Sequence, residues 1–161
     1  MMVHEARRAF LRSLSAVLAV VGITAGVADA QTEDRTGQAG RRRAIGGGSR
    51  YFSRAVAFER MVFVSGVLGR DEAKGALVAA EFEPQCRQAL SNLKASVEAA
   101  GSSLDKVLQC TCFLTDTVDF VIFNQIYAEF FMSDPPARST VVVKELVVAG
   151  AKIEIDCVAH T

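Results

Sequence analysis

Two segments hold the residues best suited to chemistry: Pro135-Pro136-Ala137-Arg138-Ser139-Thr140 and, within a hairpin's length of it, Lys152-Ile153-Glu154-Ile155-Asp156. An arginine at a strand start, on a backbone restricted by two prolines, can hold a carboxylate through two parallel hydrogen bonds. A glutamate flanked by isoleucines is partly stripped of water, which raises its pKa and suits it to exchange a proton with a water molecule. Arg138 and Glu154 together describe hydrolysis of a small carboxylate-bearing molecule without a metal. Each also has a plainer use, Arg138 in an intersubunit or strand-end ion pair, with Glu145 as one candidate partner, and Glu154 as a solvated strand charge. Asp156 reads as a supporting charge. Ser65-Gly66 follows an apolar run and offers a hydroxyl with unhindered backbone for lining a pocket. Asn124 and Tyr127 lie three apart and share a helix face, where packing with a polar tip is the alternative use. The two histidines, His4 and His160, supply neither a triad partner for Ser65 nor a metal-ligand set.

Positioning these groups requires a sheet and two helices. Residues 51–58 and 61–65 are β-rich around Glu59-Arg60, which predicts a hairpin, and residues 76–79 add a short strand. Over 84–100 the apolar positions Cys86, Ala89, Leu90, Leu93, Val97 and Ala100 recur every three or four residues, with Pro84 near the start and Gly101 at the exit, the pattern of an amphipathic helix. Residues 106–114 read as a strand with Leu108, Cys110, Cys112 and Leu114 on one face. Asp116 or Thr117 caps a second helix that turns Phe120, Phe123, Ile126, Tyr127 and Phe130 inward and stops before Pro135-Pro136. Strands over 141–148 and 152–159, joined at Ala149-Gly150-Ala151, complete an α+β order: a mixed sheet with two helices on one face and parallel pairing possible across each helix. On the last strand, Glu154 and Asp156 share the face opposite Ile153, Ile155 and Cys157.

The Pro-Ala-Arg-Ser element at Arg138 and the Ile-Glu-Ile strand at Glu154 occur together with Phe63-Val64-Ser65-Gly66, Asn92-Leu93-Lys94, Glu98-Ala99-Ala100-Gly101 and Asn124 with Tyr127. In these residues, over about 51–160, the chain resembles the Rid (reactive intermediate deaminase) family, also called the YjgF family. The resemblance implies a chorismate-mutase-like fold and a homotrimer around a central channel, with sites in clefts between subunits. It implies hydrolysis of reactive 2-imino acids or their enamines to 2-keto acids and ammonia, with no cofactor. Arg138 would bind the substrate carboxylate and Glu154 would position water. Ser65, Gly66, Asn124 and Tyr127 match positions near the family's site, and Tyr51 or Phe52 matches the aromatic lining its pocket. Thr140 stands where the family often has cysteine, and Val67-Leu68-Gly69 replaces its Gln-Ile-Pro. Two other uses of the same scaffold are a non-catalytic trimer that binds a small carboxylate or a regulatory partner, and ribonuclease activity, a label attached to the family.

The remaining sequence speaks of location and stability. Arg7-Arg8-Ala9-Phe10-Leu11-Arg12, an apolar stretch over 14–27 and Ala28-Asp29-Ala30 form the pattern of a twin-arginine export signal, residues 1–30, cleaved before Gln31. The apolar run is interrupted by Gly22, Thr24 and Gly26 and is short for a membrane span, with an uncleaved anchor as the alternative use. The expectation is therefore a periplasmic or otherwise exported protein that leaves the membrane once the signal is removed. Residues 31–49, with Arg41-Arg42-Arg43 and Gly46-Gly47-Gly48, read as a flexible leader. Residues 50–161 then form one Rid-like domain. With 18 basic and 18 acidic residues, the chain has no general pull toward nucleic acid. The four cysteines are Cys86, Cys110, Cys112 and Cys157; they read as small core residues whose pairing spacing alone does not fix.

Overall fold

The computed structural model describes residues 40–161; the expected export signal and residues 31–39 of the expected leader lie outside them. Among the described residues eight strands and two α-helices follow in chain order. They are β1 (Arg43–Gly48), β2 (Ser53–Phe58), β3 (Met61–Leu68), β4 (Arg70–Asp71), β5 (Ala76–Leu77), α1 (Phe82–Ala99), β6 (Val107–Leu114), α2 (Phe120–Phe130), β7 (Ala137–Val142) and β8 (Ile153–His160). Six strands make one sheet in the order β1-β2-β3-β8-β6-β7, and β4 pairs with β5 in a small ribbon. Only β6 and β7 run parallel, joined by the α2 crossover; the other neighbours in the sheet are antiparallel.

Both helices cover one face of this mixed sheet. The stripe of α1 predicted from its spacing, Cys86, Ala89, Leu90, Leu93 and Val97, is fully buried against Val62, Val64, Ile153, Ile155 and Cys157. The helix stops where Gly101 takes φ +83°. There Gly101 N–H donates to the Glu98 carbonyl and Ser102 N–H to the Val97 carbonyl, the paired bonds of a left-handed C-terminal cap. Along β8 every second residue from Ile153 to Ala159 is buried, and those between, Glu154 and Asp156 included, face away from the helices. The expected α+β arrangement, a mixed sheet with two helices on one face, is the arrangement observed.

Four expectations are corrected. The flexible leader over 31–49 gives way at Arg43, where β1 pairs antiparallel with β2 and buries Ile45 against the core; its glycines and arginines hid one alternating position that packs. The segments after Pro136 do not form a hairpin. The first strand begins at Ala137 and ends at Val142, and β6 lies between it and β8, because the crossover through α2 returns β7 parallel to β6 while β8 fills the gap beside β3. In β6 a register shift between Val107 and Gln109 turns Leu108 outward, leaving Cys110, Cys112 and Leu114 in the core. Asp116 caps a short 3-10 turn by accepting from Val118 N–H, so α2 starts at Phe120, which is exposed, and buries Phe123, Ile126 and Tyr127.

Candidate active site

β3 leaves its ladder with β8 where the sequence places Ser65-Gly66. Val64 is opposite Cys157 and Val67 opposite Ile155, so three steps on β3 match two on β8 and one residue is surplus. A bulge of this kind bends the strand and re-aims its groups. The Ser65 hydroxyl donates to the Ser53 carbonyl at 2.8 Å, tying β3 to β2. Gly66 lies directly under Glu154: a Cβ at Gly66 would stand 2.0 Å from Glu154 Oε1 and 2.8 Å from its carboxyl carbon. A side chain at position 66 would have to push the Glu154 carboxyl aside.

Glu154, Ser65, Gly66 and Phe52 line one cleft of about 440 Å³ together with Arg54, Val67, Leu68, Arg70, Glu72, Val147 and Val148. Of the two candidate aromatics, Phe52 lines the cleft. Tyr51 does not: it is 83% exposed, on a turn where Ser49 Oγ accepts from the Tyr51 and Phe52 amides. Burial raises the pKa of Glu154 above the usual glutamate value, and the neighbouring Asp156 charge adds to the rise. The cleft thus holds a carboxyl poised to exchange a proton over an unhindered stretch of backbone.

Arg138, Asn124 and Tyr127 form a separate group. Arg138 is aligned with Cys110 across the parallel ladder, and Cys110 is buried under the helices, so the guanidinium rises on the helix side of the sheet. There it donates from Nη2 to Asn124 Oδ1 at 2.7 Å. It lies over the rings of Phe123 and Tyr127 at 4.9 and 4.6 Å from their centroids, positions favourable for a cation against an aromatic face. Among the described residues of the one chain Arg138 enters no ion pair, with Glu145 or any other carboxylate. Two buried hydroxyls, Tyr127 Oη and Thr140 Oγ1, have no hydrogen-bond partner among the described residues. Glu154 is aligned with Phe113, one step out of phase with Cys110 and Cys112, and so rises on the other face. Within one chain the sheet separates Arg138 from Glu154.

Sequence reasoning passed over four residues that shape these groups. Gln85 is fully buried. Its Nε2 donates to the carbonyls of Ala79 and Gly150 at 2.9 and 3.0 Å, and its Oε1 accepts from Lys152 N–H at 2.9 Å, fixing the approach to β8 two residues before Glu154. An amide on the apolar stripe of α1 was the available signal. Arg54, Arg70 and Glu72 were missed because an outward charge on a strand, or in the turn after one, looks like a solvated one until the neighbouring strands are known. Among the described residues no three His, Cys, Asp or Glu side chains gather as metal ligands would, and no helix is long and apolar enough to cross a membrane.

Known proteins resemble this chain in sequence and in fold. A model of the family described as Endoribonuclease L-PSP matches residues 43–161, beginning at β1. Reactive Intermediate Deaminase A, chloroplastic, of Arabidopsis thaliana is 40% identical over 108 residues, 67% of this chain, which spans 57% of that protein's length. The human 2-iminobutanoate/2-iminopropanoate deaminase is 37% identical over 108 residues, 67% of this chain and 78% of the relative. The crystal structure of E. coli TdcF with bound serine superposes with a TM-score of 0.69 at 32% identity, covering 74% of this chain and 98% of that one. With the family model matching from β1 through β8, the chain belongs to the endoribonuclease L-PSP family, that of the Rid or YjgF proteins.

Proposed function

We propose that the protein hydrolyses reactive 2-imino acids, or their enamine tautomers, to 2-keto acids and ammonia. The placement of Glu154 carries this reading: a half-buried carboxyl with a raised pKa, set against the Gly66 backbone in a cleft of small-molecule size. The deaminase names of relatives at 37–40% identity support the reaction class, and the serine bound to TdcF is a ligand of the expected size and charge.

Because one chain holds Arg138 and Glu154 on opposite faces, a complete site requires two copies, with Arg138 of one beside the Glu154 cleft of the next. A homotrimer closing around the exposed sheet face supplies that arrangement. Arg138, steadied by Asn124 and the Phe123 and Tyr127 rings, takes the substrate carboxylate on its free guanidinium edge. Ionised Glu154 takes a proton from water as the oxygen adds to the imine carbon. The resulting carbinolamine expels ammonia after its nitrogen is protonated, the carbonyl forms, and Glu154 returns to its starting state. A carboxyl pKa above the ordinary value serves both halves of this proton exchange better than a fully solvated one.

The test is release of ammonia and keto acid from 2-iminopropanoate and longer imino acids generated in situ. The expected result is acceleration by the parent, loss of about 100-fold or more in kcat/KM in Arg138→Ala, and a loss of about 100-fold or more in kcat in Glu154→Ala. A parent that binds a small carboxylate through Arg138 but accelerates no imine would establish a binding module instead. Export through residues 1–30 is a further part of the proposal; a reporter fused to them and retained in the cytoplasm would remove it.

A further inference from the structure

The Glu154 cleft contains more charge than a simple aliphatic imino acid would use. Arg54 on β2 and Arg70 on β4 both line it. Arg54 pairs with Glu72, and its stem packs over Gly46 of β1, where a Cβ would come within 3.2 Å of Arg54 Cδ. Arg70 forms no ion pair among the described residues. Its neighbour Asp71 is turned into the ribbon's turn, accepting from the Ala73 and Lys74 amides and lying 3.2 Å from Lys74 Nζ. The Arg70 guanidinium rests instead on the Gly75 carbonyl.

Arg70 is also held from below. Buried Asn92 on α1 donates through Nδ2 to the carbonyls of Leu68 and Arg70, both at 2.9 Å, while its Oδ1 accepts from Gln88 at 2.8 Å. The backbone that presents Arg70 is therefore fixed before any ligand arrives, and the cost of ordering it is not charged to binding. The Arg54–Glu72 pair shows that this wall accommodates a carboxylate against a guanidinium.

We infer that Arg70, beside the Arg54–Glu72 pair, forms a second anion-holding position in the cleft, which selects 2-imino acids carrying a distal carboxylate. The inference rests on the deaminase reading of the same cleft. The 2-carboxylate goes to Arg138 of the neighbouring copy, the imine carbon lies by Glu154, and the distal carboxylate goes to Arg70 with Arg54 beside it. A site built with a cationic donor that lacks a carboxylate partner disfavours an analogue that leaves it unmatched. The reactions that supply such substrates are oxidations of acidic amino acids at the 2-position.

Binding of the keto-acid products tests this apart from turnover. Isothermal titration of the full chain with 2-oxoglutarate and with 2-oxobutanoate is expected to show a preference for the diacid of about 10-fold or more, the scale of one charge-assisted hydrogen bond. In Arg70→Gln the ratio falls to within about threefold, and in Arg70→Lys most of it is kept. Arg54→Gln, an independent variant on another strand, lowers the ratio as well. Thermal unfolding confirms that each variant is folded. Equal affinities in the parent, no detectable binding of either acid, or a ratio unchanged in both Arg70→Gln and Arg54→Gln overturns the inference. Failure to accelerate any imine removes the deaminase reading while the binding ratio still decides this one.

Discussion

At the scale of single residues, Gly66 and Glu154 behave as one unit. A methyl group at Gly66 would occupy the space of the Glu154 carboxyl, so Gly66→Ala must displace the carboxyl, the bulge or both. The expected outcome is a loss of imine hydrolysis as large as that of Glu154→Ala, with a stability loss of only about 1–3 kcal/mol in urea unfolding. Glu154 also leaves a mark on stability against pH. Its folded pKa is raised by burial, so the folded state binds its proton more tightly than the unfolded chain does. This group therefore favours folding in acid and loses that contribution as pH rises from the ordinary glutamate value through the raised one. Glu154→Gln should be more stable than the parent at neutral pH, and the difference should vanish as pH falls below the ordinary glutamate range; parallel urea titrations at several pH values check this. The four cysteines are all free and buried, and burial pushes Cys86 and Cys157 up to about 12. A thiol reagent should therefore modify none of them in the folded protein and all of them after denaturation.

At the scale of elements, Gln85 joins the start of α1 to the segment before β8 through three hydrogen bonds. Gln85→Ala leaves two carbonyls and an amide without partners and is expected to cost about 1–3 kcal/mol, read as a shifted urea midpoint. It should also lower kcat/KM, because the Lys152 amide sets the start of the strand that carries Glu154. The elements themselves were largely legible in the sequence. Apolar residues at helical spacing located α1 to within two residues at its start and one at its end, since the covering face of a helix is a local property of the chain. Alternation likewise told which face of β8 carries Glu154 and Asp156. Strand order was not legible, because nothing local to residues 137–160 says that β6 will come between β7 and β8. The same gap concealed that Arg138 and Glu154 point to opposite faces: the residues were nameable from type and context, but their relative placement depends on register between distant strands. β1 was lost for a different reason, since Gly46-Gly47-Gly48 and three arginines outweighed one buried isoleucine.

For the whole molecule, the sheet face away from the helices is unusually apolar for a surface meeting only water. Phe63 on β3 and Val141 on β7 are nearly half exposed, and Phe113 and Glu154 lie in one row with Val141 across β8, β6 and β7. If this face closes a trimer, Phe63→Lys should yield a folded monomer in sedimentation velocity and abolish imine hydrolysis with it, since Arg138 of one copy would no longer reach the Glu154 cleft of another. A monomer that retained full activity would sink the shared site. The central position of β8 has a separate consequence, one of timing. This strand leaves the ribosome after the other seven, yet it alone joins β1-β2-β3 to β6-β7. Until it emerges, the nascent chain carries two half-sheets with open inner edges that cannot seal against each other, and the row of core positions from Ile153 to Ala159 has no occupants. A chaperone that shields strand edges would therefore hold this protein until β8 has emerged, and chains stalled before residue 153 should be degraded by proteases as unfolded polypeptides rather than accumulate as a shortened domain.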